Sequence, residues 1–445
     1  MNQKDIERAK NIIRGFVDIN KSRLPKDHIL NYGDLKEIIQ TSIDGLKASN
    51  QMSEESEQSG LYGILLDDIL REEYCMLKSD KDLEKNIICD KDHKPWLLPS
   101  GQPIDPDREK VDYKYWNRYR QFISNQKKIN MEDFDGSVRQ IVSNLQDPLN
   151  RNKDGWLNRG MVVGSVQSGK TMNYAGVVAQ ALDAGYQFIV VLGGAGKKLR
   201  AQTQARIDEG VLGIDTSGKI PGWIGAGKLK MVDEKTGKKV SHRNIVSLTN
   251  SFDDGDFSTN SKKVQNYNID WNENTQPHLF VMKKNVSILN NFLEWIEKTQ
   301  REDKSKRAEL SLLIIDDECD WGSVDTGSFD DPEEVLDEEY NPSAINECIT
   351  NILDKFKWKS YLGYTATPYA NIFQRRDLND KDMSLFPSNF IIYLQPNRMY
   401  FGPSQLFNSS SSEHAVDLVR NVPMEDFNYF DKLMKERSHI CKEKG

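Results

Sequence analysis

Apolar residues follow two different rhythms along this chain. Up to about residue 150 they fall three and four positions apart in NQKDIERAKNIIRGFVDI, DLKEIIQTSIDGLKA, LYGILLDDILREEYCML and YWNRYRQFI, the period of a helix with one covered face. Breakers such as SEESEQSG and PSGQPIDPD separate these stretches, and DPLNRNKDG joins them to the remainder of the chain. From Gly160 the pattern changes to short β-rich runs alternating with helical ones, the signature of a mainly parallel α/β sheet. The strand candidates are MVV at 161–163, FIVVL at 188–192, NIVSL at 244–248, HLFVM at 278–282, SLLII at 311–315, SYLGY at 360–364 and FIIYL at 390–394. Between them TMNYAGVVAQALDA, KKLRAQTQARIDEG, NVSILNNFLEWIEKTQ and SAINECITNILDKF read as helices. Residues 211–276 are rich in Gly, Lys, Asp and Asn, and apart from NIVSL they read as insertions on the sheet's edge. The expected organisation is an α-helical region over 1–150, an α/β domain over 151–400, and a linker with the start of a further segment over 401–445.

Composition narrows the class. A chain of 445 residues is long enough for two or three domains. With 37% hydrophobic and 29% charged residues, it reads as a globular protein with a heavily charged surface. No stretch approaches the roughly 20 apolar residues of a membrane span, and MNQKDIERAK lacks the apolar segment of a secretory signal. The expectation is a cytoplasmic protein with no membrane partner. Five scattered cysteines without a C-x-x-C pair indicate neither a disulfide framework nor a zinc ribbon. A net charge of −8 argues against wholesale wrapping of nucleic acid but leaves room for a local basic groove.

The stretch GMVVGSVQSGKTMNYAG carries the first chemistry. Gly164, Gly169, Lys170 and Thr171 match every fixed position of G-x-x-x-x-G-K-[ST], with Gln167 and Ser168 inside the turn. A triphosphate must be gripped without burying unpaired charge. Glycines let successive backbone N–H groups point into one concavity, and the following helix adds the positive end of its dipole. Lys170 then reaches the β- and γ-phosphates of ATP, and the Thr171 hydroxyl ligates Mg²⁺. A strand before the turn and a helix after it supply the context this chemistry needs.

Hydrolysis also needs a carboxylate to hold the metal and a group to orient water. SLLIIDDECDW supplies both. Four apolar residues in a row, Leu312 to Ile315, need cover on both faces, so the strand is internal and its carboxyl end opens toward the phosphate turn. Read as D-E-x-D, Asp317 holds Mg²⁺, Glu318 orients the attacking water and Asp320 completes the motif; in the competing register Asp316 is the metal residue. Further on, YLGYTATPYANIF ends a strand in Thr365-Ala366-Thr367 before Pro368 stops it, which leaves two hydroxyls at the same sheet edge to bond Asp320 or the surroundings of the γ-phosphate.

The order phosphate turn, D-E-x-D, then T-A-T is that of superfamily-two helicases and translocases. At these residues the chain resembles the Z-one domain family, helicase-like ATPases of bacterial restriction and antiphage clusters. The likeness rests on RGMVVGSVQSGKTMNYAGVVAQALDAGYQFIVVLGGAGKKLRAQTQARIDEG, LLIIDDECDW, GYTATPYANIF and FIIYLQPNRMYFGPSQLF, and spans roughly 110 to 410. It implies a RecA-like P-loop NTPase domain and ATP hydrolysis coupled to a task on nucleic acid, expected to be DNA, or in a defence complex. Its expected companions are a nuclease, a histidine-kinase-like ATPase or an abortive-infection protein. In that family's terms Gly164, Gly169, Lys170 and Thr171 bind nucleotide and metal, Asp317 and Glu318 serve hydrolysis, and Asp320, Thr365 and Thr367 couple it to motion.

Arg200, Gln202, Thr203 and Arg206 in LRAQTQARI stand where such enzymes contact the nucleic-acid backbone, with an exposed helix face as the competing reading. Lys283 and Lys284 are a second candidate contact, and Trp156 and Arg159 are candidates for the adenine. No second strand-helix series and no Q-x-x-G-R-x-x-R pattern follows before Gly445. An arginine donated to the γ-phosphate accelerates hydrolysis about 10³–10⁵-fold, so weak hydrolysis by this polypeptide alone is expected. Three readings stand at this point: a motor lobe acting on DNA, an ATP-dependent switch that assembles a defence complex, and a scaffold with a vestigial site. The presence of Lys170, Thr171, Asp317 and Glu318 together speaks against the third.

Overall fold

The computed structural model describes residues 13–15, 17, 19–20, 32–48 and 69, and residues 86–396 except 127–128, 166–168, 195, 230–244, 273–274, 301–306, 324–341 and 373–384. Strands β1 (Ile87–Cys89), β2 (Trp156–Gly164), β3 (Phe188–Gly193), β4 (His278–Met282), β5 (Ala308–Asp317), β6 (Phe356–Thr365) and β7 (Phe390–Leu394) form one seven-stranded sheet in the order β1-β7-β2-β6-β5-β3-β4. Every neighbouring pair is parallel except the edge pair β1–β7. The helices are α1 (Tyr32–Ala48), α2 (Lys114–Gln126), α3 (Met131–Asn144), α4 (Lys170–Ala184), α5 (Lys197–Ile207), α6 (Val286–Thr299) and α7 (Pro342–Asp354), with single turns at Lys262–Gln265 and Tyr369–Ile372.

The pleat divides the apolar residues between two cores. On one face Ile189, Val191, Leu313, Ile315, Leu362 and Tyr364 pack with α2, α3 and α4, through residues such as Phe134, Val138 and Val178. On the other, Phe188, Val190, Leu192, Leu312, Ile314 and Tyr361 pack with α6 and α7, through residues such as Phe292, Ile296 and Ile349. Successive side chains of a strand point to opposite faces, so an uninterrupted run such as Leu312–Ile315 feeds both cores. Full burial of each such side chain contributes about 1.5–3 kcal/mol.

Six of the seven expected strands are present, several of them longer than the apolar run that marks them. NIVSL is the exception: Val246 makes an isolated parallel bridge to His278 and the stretch goes no further into the sheet. Its polar Ser247 turns its hydroxyl to the Thr249 carbonyl instead. The region read as wholly helical also contributes a strand, β1, and its helices α2 and α3 share a core with α4. Helices α2 and α3 are thus packed on the sheet's own face, and β1 extends its edge. Helix α5 passes directly into a π-helical turn, Asp208–Leu212, which the sequence pattern does not announce. The second expected helical stretch is α1, whereas most of the first and third, part of the 211–276 insertion and all of 401–445 lie outside the described residues. Among the described residues no helix is long and apolar enough to cross a membrane.

Candidate functional site

Strand β5 ends in Asp316 and Asp317, and the pleat sends them to opposite faces. Asp316 is fully buried on the α6 side, where it pairs with the Lys284 ammonium at 3.2 Å and accepts a 2.7 Å hydrogen bond from the Tyr361 hydroxyl. Asp317 turns to the α4 side, where the Tyr174 hydroxyl donates to it at 3.2 Å. Burial pushes the Asp317 carboxyl up to about 6; the charge of Glu318 adds to the rise, and Tyr174, Lys170 and Lys284 pull against it. Of the two registers open in the sequence, the geometry points Asp317 into the cleft and commits Asp316 to an internal ion pair.

Glu318 follows with φ +54°, the one non-glycine residue of positive φ among the described residues. That conformation crowds a side chain against its own carbonyl and is held only where surrounding contacts over-determine it. The next carboxylate, Asp320, accepts from the Thr365 hydroxyl at 2.7 Å and from the Thr367 hydroxyl, while the Thr367 N–H donates to Thr365 Oγ1 at 2.8 Å. The three residues assigned to coupling are therefore one hydrogen-bonded group.

Facing this acidic turn is the start of α4. Gly169 caps the helix in the left-handed region at φ +92°, with no side-chain bond to the first-turn N–H groups. Gly164 closes β2, two strands away from β5, and the intervening β6 carries Thr365. Lys170 Nζ donates to the Gly164 and Ser165 carbonyls at 3.1 and 3.2 Å. Gln167 and Ser168 lie outside the described residues. Gly169, Lys170, Thr171, Asp317, Glu318, Asp320 and Thr367 all line one cleft of about 830 Å³. The two motifs, 145 or more residues apart in sequence, converge there because parallel strands deliver their carboxyl ends to one edge of the sheet.

Sequence reasoning missed several groups in the same cleft. Tyr119, Phe122, Ile123 and Gln126 of α2 form one wall, with Glu209 and Trp321 on others. Tyr119 is fixed by a 2.9 Å hydrogen bond from its hydroxyl to the Met172 carbonyl, at the first turn of α4. The signal was present for α2, since YWNRYRQFI is amphipathic, but its spacing does not say what its aromatic face meets. Tyr174 was likewise visible only as an apolar position of α4; its hydroxyl also meets those of Thr171 and Thr203.

The expected nucleic-acid contacts need correction. Arg200 is fully buried and donates to the Asn250 carbonyl at 2.8 Å and to the Phe252 carbonyl, with Asp256 at 3.9 Å. Thr203 is buried too. The Arg200 side chain holds the insertion against α5, the Thr203 hydroxyl meets that of Tyr174, and neither is open to a strand outside. Gln202 and Arg206 are exposed, and Arg206 faces the cleft. Lys284 is interior, paired with Asp316, whereas Lys283 is half-buried. Trp156 starts β2, eight residues and about 26 Å of strand from Gly164, and its indole N–H donates to the Asn150 carbonyl at 2.9 Å. Neither it nor Arg159 lines the cleft.

No protein-family model matches the chain, and no curated protein matches it. Among solved structures it is similar to the crystal structure of the DUF1998 helicase MrfA bound to DNA, at 13% identity and a TM-score of 0.32, over 72% of this chain and 35% of that one. This chain thus spans about a third of that helicase's length. The likeness is to a helicase and does not extend to the Z-one domain family, and at this TM-score it adds nothing to the geometry of the cleft.

Proposed function

We propose that this chain binds Mg²⁺·ATP in the 830 Å³ cleft and hydrolyses it, as a helicase-like motor lobe of the cytoplasm that acts on DNA in an antiphage or restriction system. The observation that carries the reading is the meeting of Lys170 and Thr171, at an uncapped helix start, with Asp317 and Glu318 across one cleft. The donor set fits the ligand. Open N–H groups and an ammonium suit phosphate oxygens, and among the described residues no three His, Cys, Asp or Glu side chains gather to hold a metal alone. That suits Mg²⁺, which is commonly held by one or two protein oxygens together with substrate phosphates. Thr171 and Asp317 would hold it, and its charge would offset that of the phosphates. Glu318 would orient a water and draw its proton as the water oxygen bonds to the γ-phosphorus; the bond from that phosphorus to the β,γ-bridging oxygen breaks and ADP leaves. Arg206, the one arginine among the described residues lining the cleft, supplies a positive charge nearby.

The burial of Arg200, Thr203 and Lys284 favours a second reading, in which nucleotide occupancy switches the assembly of a defence complex, with a nuclease or a histidine-kinase-like ATPase as partner, and no strand is moved. The two readings separate in one experiment. Phosphate release by the full chain is measured with and without DNA or RNA, beside Glu318→Gln. A motor shows stimulation that the variant abolishes while still trapping ATP, and a rate indifferent to every nucleic acid leaves the switch.

A further inference from the structure

Lys284 neither grips phosphate nor handles water, yet its surroundings are unusual. It follows β4, is 2% exposed, and sends its ammonium beneath the acidic turn. There it pairs with Asp316 at 3.2 Å, donates to the Trp321 carbonyl at 2.7 Å and to the Glu318 carbonyl, and lies 5.8 Å from the centre of the Trp321 ring. Three other polar groups of the turn are also engaged. The Cys319 N–H donates to the Tyr364 carbonyl at 3.0 Å, the Asn371 amide donates to the Cys319 carbonyl at 3.0 Å, and the Trp321 N–H donates to the Glu318 carbonyl at 2.9 Å. Lys284 is the one cation in this set, and it holds both ends of the Glu318–Trp321 turn.

A buried ion pair adds little to stability over an apolar pair of the same shape, and its retention needs another reason. The strained residue supplies one. Glu318 sits at φ +54° with its side chain exposed in the cleft, and its carbonyl accepts from the Lys284 ammonium as well as from the Trp321 N–H. We propose that Lys284 is a positioning residue for hydrolysis: by tying the Glu318 and Trp321 carbonyls to buried Asp316, it keeps Glu318 in the left-handed conformation that aims its carboxylate into the cleft. The inference rests on the ATP reading and adds to it a residue that touches neither nucleotide nor water. It separates two tasks within the site, since α4 grips the phosphates without Lys284 and only the water-orienting group depends on it.

The test uses the full chain carrying Lys284→Met together with Asp316→Asn, so that no buried carboxylate loses its countercharge, beside Lys284→Arg, which keeps a cation. Three quantities are read: amide hydrogen exchange over 317–321 without nucleotide, affinity for a non-hydrolysable Mg²⁺·ATP analogue, and phosphate release. The double variant is expected to lose at least tenfold in protection of the Cys319 and Trp321 amides and about 100-fold in kcat, the scale of a catalytic group displaced by an ångström. Its analogue affinity stays within threefold of wild type, and Lys284→Arg recovers part of the kcat. Unchanged protection overturns the inference, as does lost protection with normal kcat, or a loss of affinity that parallels the loss of kcat. A double variant that fails to fold makes the residue structural and overturns it too, unless Lys284→Arg folds and shows the same split between kcat and affinity. Should wild type neither bind the analogue nor release phosphate, the ATP reading falls and takes the positioning role with it; failure confined to the variants removes the positioning role alone.

Discussion

The two ends of helix α4 are built from the same device and left in opposite states. Each is flanked by a left-handed glycine, Gly169 at φ +92° and Gly185 at φ +109°. At the carboxyl end the terminal carbonyls are satisfied: the Gly185 N–H reaches Ala181 and Leu182 at 3.1 and 3.3 Å, the Tyr186 N–H reaches Ala181 at 3.0 Å, and Arg108 donates to the Ala184 carbonyl at 2.9 Å. That is the ordinary way a helix of this kind is closed. At the amino end no side chain among the described residues closes the first turn, and it faces a cleft with carboxylates across it. Since open N–H groups are costly where nothing meets them, the contrast between a finished end and an open one supports the proposal that the open end is the working one.

The largest effects should fall on the working end. Glu318→Gln is expected to lower kcat by about 10²–10⁴, the usual contribution of a positioned acid–base group, with analogue affinity nearly unchanged; an unimpaired rate of phosphate release would show that Glu318 is not the group that handles water. Lys170→Ala is expected to cost about 1.5–3 kcal/mol of analogue affinity, the worth of a hydrogen bond to a charged group, by calorimetric titration. Its unfolding midpoint without nucleotide should stay put, because the ammonium holds only carbonyls of its own loop. Unchanged affinity would break the contrast between the ends. One turn further along, Tyr174→Phe removes the hydroxyl that meets Asp317. The expected loss is about 0.5–1.5 kcal/mol in denaturant unfolding, and a variant as stable as wild type would show that this bond adds nothing to the wall between α4 and β5.

How much of this was legible depended on whether the information was local. The glycine turn, the strand candidates and the acidic turn each announce themselves within about ten residues, and six runs such as FIVVL and SLLII are strands. Which aspartate meets the cleft was not local, but it was available in principle. Once β5 is known to alternate between two cores, Asp317 shares the face of Leu313 and Ile315, the one covered by α4. The failures came from polar residues with partners far along the chain. Arg200 reads as a surface donor until Asn250 and Phe252 place carbonyls on its guanidinium. Lys284 reads as half of a basic pair until Asp316 is found beside it. The three residues of β1 are too few to show any period, and they form a strand because β7 offers an edge.

The smallest expected effect is at the finished end of α4, and it distinguishes a structural carboxylate from a working one. Asp183 accepts the Tyr115 and Trp116 N–H groups of α2 at 3.0 and 2.8 Å, so it caps one helix from the last turn of another. Burial nonetheless pushes its carboxyl from 3.8 up to about 7; the backbone N–H groups of Trp116, Tyr115 and Lys114 pull it down, and nearby Asp112 pushes it further up. Arg118 and Tyr113 also lie in its field. Because the folded-state value is the raised one, its contribution to stability is fully present below about 4 and is lost as pH climbs through about 7. Asp183→Asn keeps an oxygen for the α2 N–H groups but cannot ionise. Its unfolding midpoint is therefore expected to fall less between pH 5 and pH 7.5 than that of wild type, by a few degrees at most for a chain of this size. Parallel profiles for the two proteins would mean that the three N–H groups stabilise the charged carboxylate enough to offset its burial, and that this end of the helix is as tolerant of charge as the end facing the cleft.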